Sequence, residues 1–419
     1  MSSISKKQME KAAVIPFYIT GALFFLSLTV LAFLAADSFH GHYFQAHTLA
    51  LVHIAALGWG TMVIFGAAYQ LIPVIFEKPL FSNRLALASF FALLGGTVLL
   101  AVSFWNFKAG WAMLSGGSLV VIATLLYVLN LFLTADYKSS SVGRPFIFSS
   151  ALWLLATTVA GLLLAINLSH PFIKGNHLEL LKIHAHLGLA GWFLQLITGV
   201  SSILVPMFLF GKSAKTYLLR AAFVLQQMGL VGFMIDQFFN GVTVRTILYI
   251  LIVLAGITCW LLYLFDVYRK RVKKKVDVQM RFSGTSMLFL LLALATLLPA
   301  LWFPANSWNS LYGTLLFFGW ISGLIFGKTF KTLPFIMWNY HYKGVHGQKN
   351  VPLPKDLYNE KLIRIQFWLF LLAIFTLAAG ILLNNISITK TAMVVWMLVA
   401  LLYLINVSGV IAHKNKQLI

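Results

Sequence analysis

Apolar residues run along this chain in twelve long blocks separated by short polar breaks. The blocks cover roughly 13–36, 46–76, 85–105, 110–134, 145–168, 181–210, 216–238, 244–267, 284–304, 308–338, 362–385 and 391–412. A helix needs about 20 apolar residues to cross the hydrocarbon layer, so each block predicts one spanning helix. Several blocks are longer than a straight span requires, which implies tilt. Lys6, Lys7 and Lys11 precede the first block, as basic residues precede a cleaved leader. The block outruns a leader's apolar core and is read as a helix. The expected fold class is all-α integral membrane, one transmembrane domain over residues 1–419.

Composition removes the alternatives. Of the 419 residues 60% are apolar, which is too many for a disordered chain. Only 10% are Asp, Glu, Lys or Arg, against about 25% in an ordinary soluble domain, too few to cover a water-facing surface. The single cysteine, Cys259, excludes an internal disulfide, a paired-thiol redox site and a covalent c-type heme motif.

The net charge of +21 is a matter of topology. With the N terminus inside, only Lys108, Lys174, Lys182, Arg245 and Lys390 of the 31 basic residues fall outside. The remaining 26 fall on the cytoplasmic side, which places both termini there. The basic run Arg269–Lys275 reads as a plain stop-transfer segment, with binding to anionic membrane lipid as the alternative. Nucleic-acid binding is not required to explain the charge.

The blocks also repeat. Residues 53–76 read HIAALGWGTMVIFGAAYQLIPVIF, and residues 186–209 read HLGLAGWFLQLITGVSSILVPMFL. A third copy, 314–337, reads TLLFFGWISGLIFGKTFKTLPFIM. Gly58, Gly191 and Gly319 correspond, as do Trp59, Trp192 and Trp320; so do Gly66, Gly199 and Gly327, and Pro73, Pro206 and Pro334. His53 matches His186, but the third copy has Thr314. Each copy opens the second helix of a set of four, so the chain reads as three pseudo-repeated four-helix arcs, about 13–134, 145–267 and 284–412. Gly66, Gly199 and Gly327 would let that helix approach a neighbour closely. Gly66 and Gly199 would equally admit a flat cofactor. The three prolines lie near the cytoplasmic ends, where a kink or a stop is tolerated.

Histidines are distributed against this charge pattern. His40, His42, His47, His53, His170, His177, His184 and His186 lie in outer loops or outer halves of helices, and only His341, His346 and His413 lie inside. An ionisable group within a span suggests function by default, and neutral imidazole is the commonest metal ligand. His184 and His186 are two apart, about 200° around a helix, so they point to opposite faces. His47 sits six residues above His53. The structural alternative for each is a ring that donates to a helix carbonyl. His40 and His42, in the loop HGHYFQAH, read as solvated residues or as a small copper site. Asp236, at the outer end of the seventh helix, reads as an interfacial residue, with a proton carrier or a heme-propionate neighbour as the alternatives, and Glu77 marks the end of the second helix. Lys328 and Lys331 snorkel toward the cytoplasm. No phosphate loop, Ser/His/Asp constellation or carboxylate pair stands out.

These residues resemble subunit I of the heme–copper oxidase superfamily. HAHLGLAGW, from His184 to Trp192, is similar to the H-x-H-S-G-A-L-G-W element of cbb-type oxidases and nitric oxide reductases, and HIAALGWGTMVIFGAAYQLIP is similar to it as well. A related group is the 12-helix heme- and copper-binding proteins of the nitric oxide response. In the family that element lies on the tenth helix and ligates two hemes. Here the tenth helix, LYGTLLFFGWISGLIFGKTF, has no histidine, and the seventh lacks the His-His pair that helps hold copper. The resemblance therefore implies a remnant: one heme b, or a heme and a copper, and no complete oxygen-reducing center. His53 with His186 is the expected ligand pair, with His184 or His47 as the alternative iron or copper ligand. The implied role is electron transfer or oxygen and nitric oxide handling, as an oxidoreductase supplied by a quinol or a separate cytochrome. A copper-binding transporter, or a cofactor-free relative that binds a partner subunit, are the competing readings. A bacterial plasma membrane is the expected location.

Overall fold

The structure, a computed structural model, describes residues 13–135, 142–303, 305–342 and 351–413. Lys6, Lys7, Lys11, Lys138, His346, Lys414 and Lys416 lie outside the described residues. Among the described residues there are helices and turns and no strand. Twelve helices are long and apolar enough to cross a membrane. They are α1 Ile15–Leu34, α2 Ala46–Phe76, α3 Asn83–Trp105, α4 Trp111–Thr134, α5 Arg144–Ser169 and α6 His177–Leu209. Then follow α7 Thr216–Asn240, α8 Arg245–Arg269, α9 Val278–Trp302, α10 Asn306–Tyr342, α11 Glu360–Leu382 and α12 Ile386–Ile411.

Three helices begin four to six residues before their apolar blocks. Asp277, Asn385 and Asn176 cap α9, α12 and α6 by accepting from the backbone N–H groups of Met280, Ile388 and Leu178 at 3.1, 3.1 and 2.9 Å. Such a cap meets a backbone donor that the helix leaves unpaired. It carries the helix through polar first turns that hydropathy alone reads as loop.

The chain groups into two compact units. The first comprises Met1–Val74, Ala86–Lys108 and Val276–Ile419, and the second Ile75–Leu85 and Ala109–Lys275. The interior of the first unit is aromatic. Phe25 meets Trp59 at 4.5 Å between ring centroids, and Phe326 edge-on at 5.3 Å. Two hydrogen bonds cross between helices there, Trp59 Nε1 donating to Ser322 Oγ at 2.9 Å and Tyr18 bonded to Thr332 at 3.0 Å. In the second unit Gly229 and Gly256 bring α7 and α8 together. An added methyl at Gly229 would lie 3.0 Å from Tyr249 O, and one at Gly256 3.2 Å from Ala222 O.

The second helix of each sequence repeat carries the same irregularity. α2 is α-helical over Ala46–His53, π-helical over Ile54–Thr61 and α-helical again over Met62–Phe76. α6 changes at Leu187–Leu194 and α10 at Leu315–Ile321. The π segment thus begins immediately after His53, His186 and Thr314.

The repeat glycines pack on rings of the preceding helix. A Cβ at Gly58, Gly191 or Gly319 would lie 2.7 or 2.8 Å from Phe24, Trp153 or Phe289. A Cβ at Gly66, Gly199 or Gly327 would lie 2.7, 2.7 or 3.1 Å from Phe17, Phe146 or Phe282. In each repeat the two rings are seven residues apart, two turns on one helix face. Close helix approach is therefore what these glycines provide. α2 and α6 both end on a left-handed residue, Glu77 (φ 54°) and Phe210 (φ 51°), at matching repeat positions. α10 continues to Tyr342 instead.

Candidate functional site

His53 closes the α-helical part of α2. Its Nδ1 lies 2.7 Å from Leu49 O, one turn back, and its ring stacks on Phe104 of α3 with centroids 4.5 Å apart at 26°. His186 occupies the same place in α6. Its Nδ1 lies 2.8 Å from Lys182 O, and its ring is 5.1 Å from Phe233 of α7. Both rings are half-buried.

A carbonyl only accepts, so each Nδ1 carries the proton. In the neutral ring that makes Nε2 the basic nitrogen. Metal-bound imidazoles are oriented in this way, by a carbonyl that accepts from the nitrogen not bound to the metal. A purely structural histidine that donates to the preceding turn has the same bond. The distinguishing point is repetition: two rings at equivalent positions share one tautomer and one orientation.

His184 faces the other way. Its Nδ1 lies 3.0 Å from Thr157 O of α5, and a methyl on Gly161 would meet its Cε1 at 2.8 Å. His186 faces α7, so the two rings serve different neighbours, as their spacing predicts. His47 lies against Trp105, centroids 4.3 Å apart. His47 and His53 belong to the first unit, and His184 and His186 to the second.

The outer loop histidines are used separately. His40 Nε2 lies 3.1 Å from Thr389 Oγ1 at the start of α12, and His42 Nδ1 accepts from Phe44 N at 3.1 Å. Among the described residues no group of three or more His, Cys, Asp or Glu side chains is placed to hold a metal ion. Asp236 is a fastening: it takes Arg245 at 3.0 Å, Asn240 at 2.8 Å and Thr243 at 3.4 Å, and closes the turn between α7 and α8. Lys331 does not simply snorkel. It bonds Asp277 at 2.5 Å, while Lys328 Nζ approaches Met280 Sδ at 3.4 Å.

Sequence reasoning passed over the buried amides of the second unit. Gln195 of α6 donates to Gln226 of α7 at 3.1 Å, and Trp153 of α5 donates to Gln227 at 2.9 Å. The signal was available, since glutamine is rare in the middle of an apolar span.

No protein-family model matches the chain. No curated protein matches it either. Among solved structures 24 chains match. One belongs to a heme-copper terminal oxidase dimer determined by cryo-EM, similar with a TM-score of 0.70 and 11% sequence identity. The match covers 99% of this chain and 86% of that one. At that identity the likeness is one of fold: a multi-pass helical membrane protein built like a heme-copper oxidase.

Proposed function

We propose that this chain is a heme-b-binding protein of a bacterial plasma membrane, working in electron transfer or in the handling of oxygen or nitric oxide. His53 and His186 are the proposed iron ligands, with His184 and His47 as the reserves. The observation that carries the reading is the contrast among the three repeats. The third keeps the π segment and the glycine–aromatic packing but has Thr314 in place of histidine. Backbone architecture therefore does not require an imidazole there. Two repeats nevertheless carry one, with the same bond to the preceding turn.

Imidazole Nε2 suits heme iron, and its orientation by a carbonyl suits it further. A bound heme would supply a one-electron redox center, with a potential set by its axial ligands and its burial. The chain's own contribution is orientation and shielding. Leu49 O and Lys182 O hold the ring tautomers, and Phe104 and Phe233 flank the rings. A complete oxygen-reducing heme–copper center is not part of the proposal: α7 has no histidine, and the only one on α10 is His341 in its last turn. Electrons would arrive from a quinol or a separate cytochrome, because the single cysteine leaves no covalent heme site. A second reading, a cofactor-free relative that binds a partner subunit, draws on the third repeat, where Thr314 stands at the histidine position and the helix packing is kept.

The test is an optical spectrum of the purified protein, oxidised and dithionite-reduced, with heme supplied during expression. The heme-to-protein ratio is measured alongside. A stoichiometric reduced heme-b band, lost in both His53→Ala and His186→Ala, is the expected result. A ratio of one or of two decides whether the histidines serve one heme or one each. A band that survives both substitutions moves the ligands elsewhere. No heme in the wild type leaves the cofactor-free reading.

A further inference from the structure

The second unit contains a polar site that its own hydrogen bonds do not complete. Gln195 and Thr198 of α6 and Gln226 of α7 are 0%, 0% and 1% exposed, close to the middle of their spans. Gln195 Nε2 donates to Gln226 Oε1. Gln195 Oε1, Gln226 Nε2 and Thr198 Oγ1 are buried without a partner.

Interhelical amide pairing as glue accounts for one bond only. Exchanging oxygen and nitrogen in both amides changes nothing, because one amide N–H donor and one amide oxygen stay unmet in either assignment. Within the hydrocarbon layer each such group is costly, since no bulk solvent reaches it.

Among the described threonines Thr198 alone has a hydroxyl that is fully buried and without a partner. Thr97, Thr157 and Thr258 each donate to the carbonyl four residues back, at 2.7, 2.7 and 2.9 Å. The residue four before Thr198 is Leu194, the last of the π segment Leu187–Leu194. One turn further, Ser201 is engaged by Trp260 Nε1 at 2.9 Å, which bounds the unmet groups below.

We propose that Gln195, Thr198 and Gln226 form a water-binding site in the interior of the second unit. The ligand class follows from the donor set. The site must be met by something that accepts from an amide N–H and donates to an amide oxygen. A metal ion is repelled by the N–H, and an anion finds no positive charge. Water does both and is typically held by about three partners when buried.

The inference is independent of heme binding. The test is cryo-EM of the full chain in lipid nanodiscs at a resolution that shows ordered water. A water-sized peak within hydrogen-bond distance of at least two of the three side chains is expected. In the double variant Gln195→Leu/Gln226→Leu its occupancy falls to background. Thr198→Val, close in shape, serves if the double variant does not fold; it displaces or weakens the same peak. Side chains that rotate to satisfy one another, with no peak, overturn the proposal. So does a peak too large or too strongly scattering for water.

Discussion

Replacing Gly199 by alanine tests whether the repeat glycines are fixed by helix contact. A helix interior favours alanine over glycine by about 1 kcal/mol. Against that stands the space. The new Cβ would lie 2.7 Å from Phe146 Cβ and 2.8 Å from Gly143 O, both tied to the chain at the start of α5. Neither can rotate away, so α5 and α6 must part. Overpacking of this kind costs about 1–3 kcal/mol, and contact with backbone puts the site at the upper end. The net expectation is a loss of about 2 kcal/mol, the difference between these two terms. The repeats predict an order as well. The nearest carbonyl would be 2.5 Å from a Cβ at Gly327, 2.8 Å at Gly199 and 3.3 Å at Gly66, so the losses should fall in that sequence. Gly284 of α9 is the control. Nothing lies within 4 Å of its Cβ position, and alanine there should be neutral or stabilising by about 1 kcal/mol. Reversible unfolding in mixed micelles with increasing dodecyl sulfate, followed by tryptophan fluorescence, measures all four. Equal effects at Gly199 and Gly284, or a stabilising Gly199→Ala, would refute the argument.

Three other outcomes follow from the geometry. Asp277→Asn keeps the cap on α9 but leaves Lys331 without its 2.5 Å partner. With side chains 18% and 25% exposed, the loss should be about 1–2 kcal/mol, below the 3–5 of a fully buried pair, and Lys331→Met in the same chain should recover part of it in a double-mutant cycle. Trp59→Phe removes a buried bond to Ser322, and its cycle with Ser322→Ala should give a coupling of about 1 kcal/mol. His40 lies outside the spans, and burial holds its pKa below the ordinary 6.5, with Asn384 and Asp37 opposing. The unfolded chain therefore binds that proton more readily, so the contribution of His40 is complete above pH 6.5 and is lost as pH falls from there through the lower folded value. Thermal stability should drop between pH 7.5 and 5.5 with a smaller slope in His40→Gln; an unchanged slope would rule His40 out as the cause.

The interiors of the spans were legible because hydrocarbon thickness and apolar length are one constraint. Their ends were less so. α9 and α12 start at Val278 and Ile386, where Asp277 and Asn385 supply caps that a hydropathy reading does not weigh. The repeat glycines were visible as matched letters, but not the rings that make them necessary. Phe17 and Phe24, Phe146 and Trp153, and Phe282 and Phe289 stand seven apart in every preceding helix, a pattern recognisable only once their partners are known. The π segments left no mark of their own, since a shift from one turn type to another preserves composition.

The candidate ligands divide in the same manner. Helical periodicity was enough to send His184 and His186 to opposite faces. Their partners were not legible, because Thr157, Phe233 and Phe104 come from other helices and from residues with no chemical signature. The third repeat then decides how much weight the histidines bear. Were imidazole a requirement of the π turn, Thr314 could not precede one, and Leu315–Ile321 shows that it does. Thr314 is buried and the turn after it is intact. It follows that His53→Thr and His186→Thr, which copy the third repeat, should leave folding nearly unchanged while abolishing any heme band. That separation of stability from spectrum distinguishes a ligand from a structural histidine. Parallel loss of both in each variant would return the two rings to a structural role.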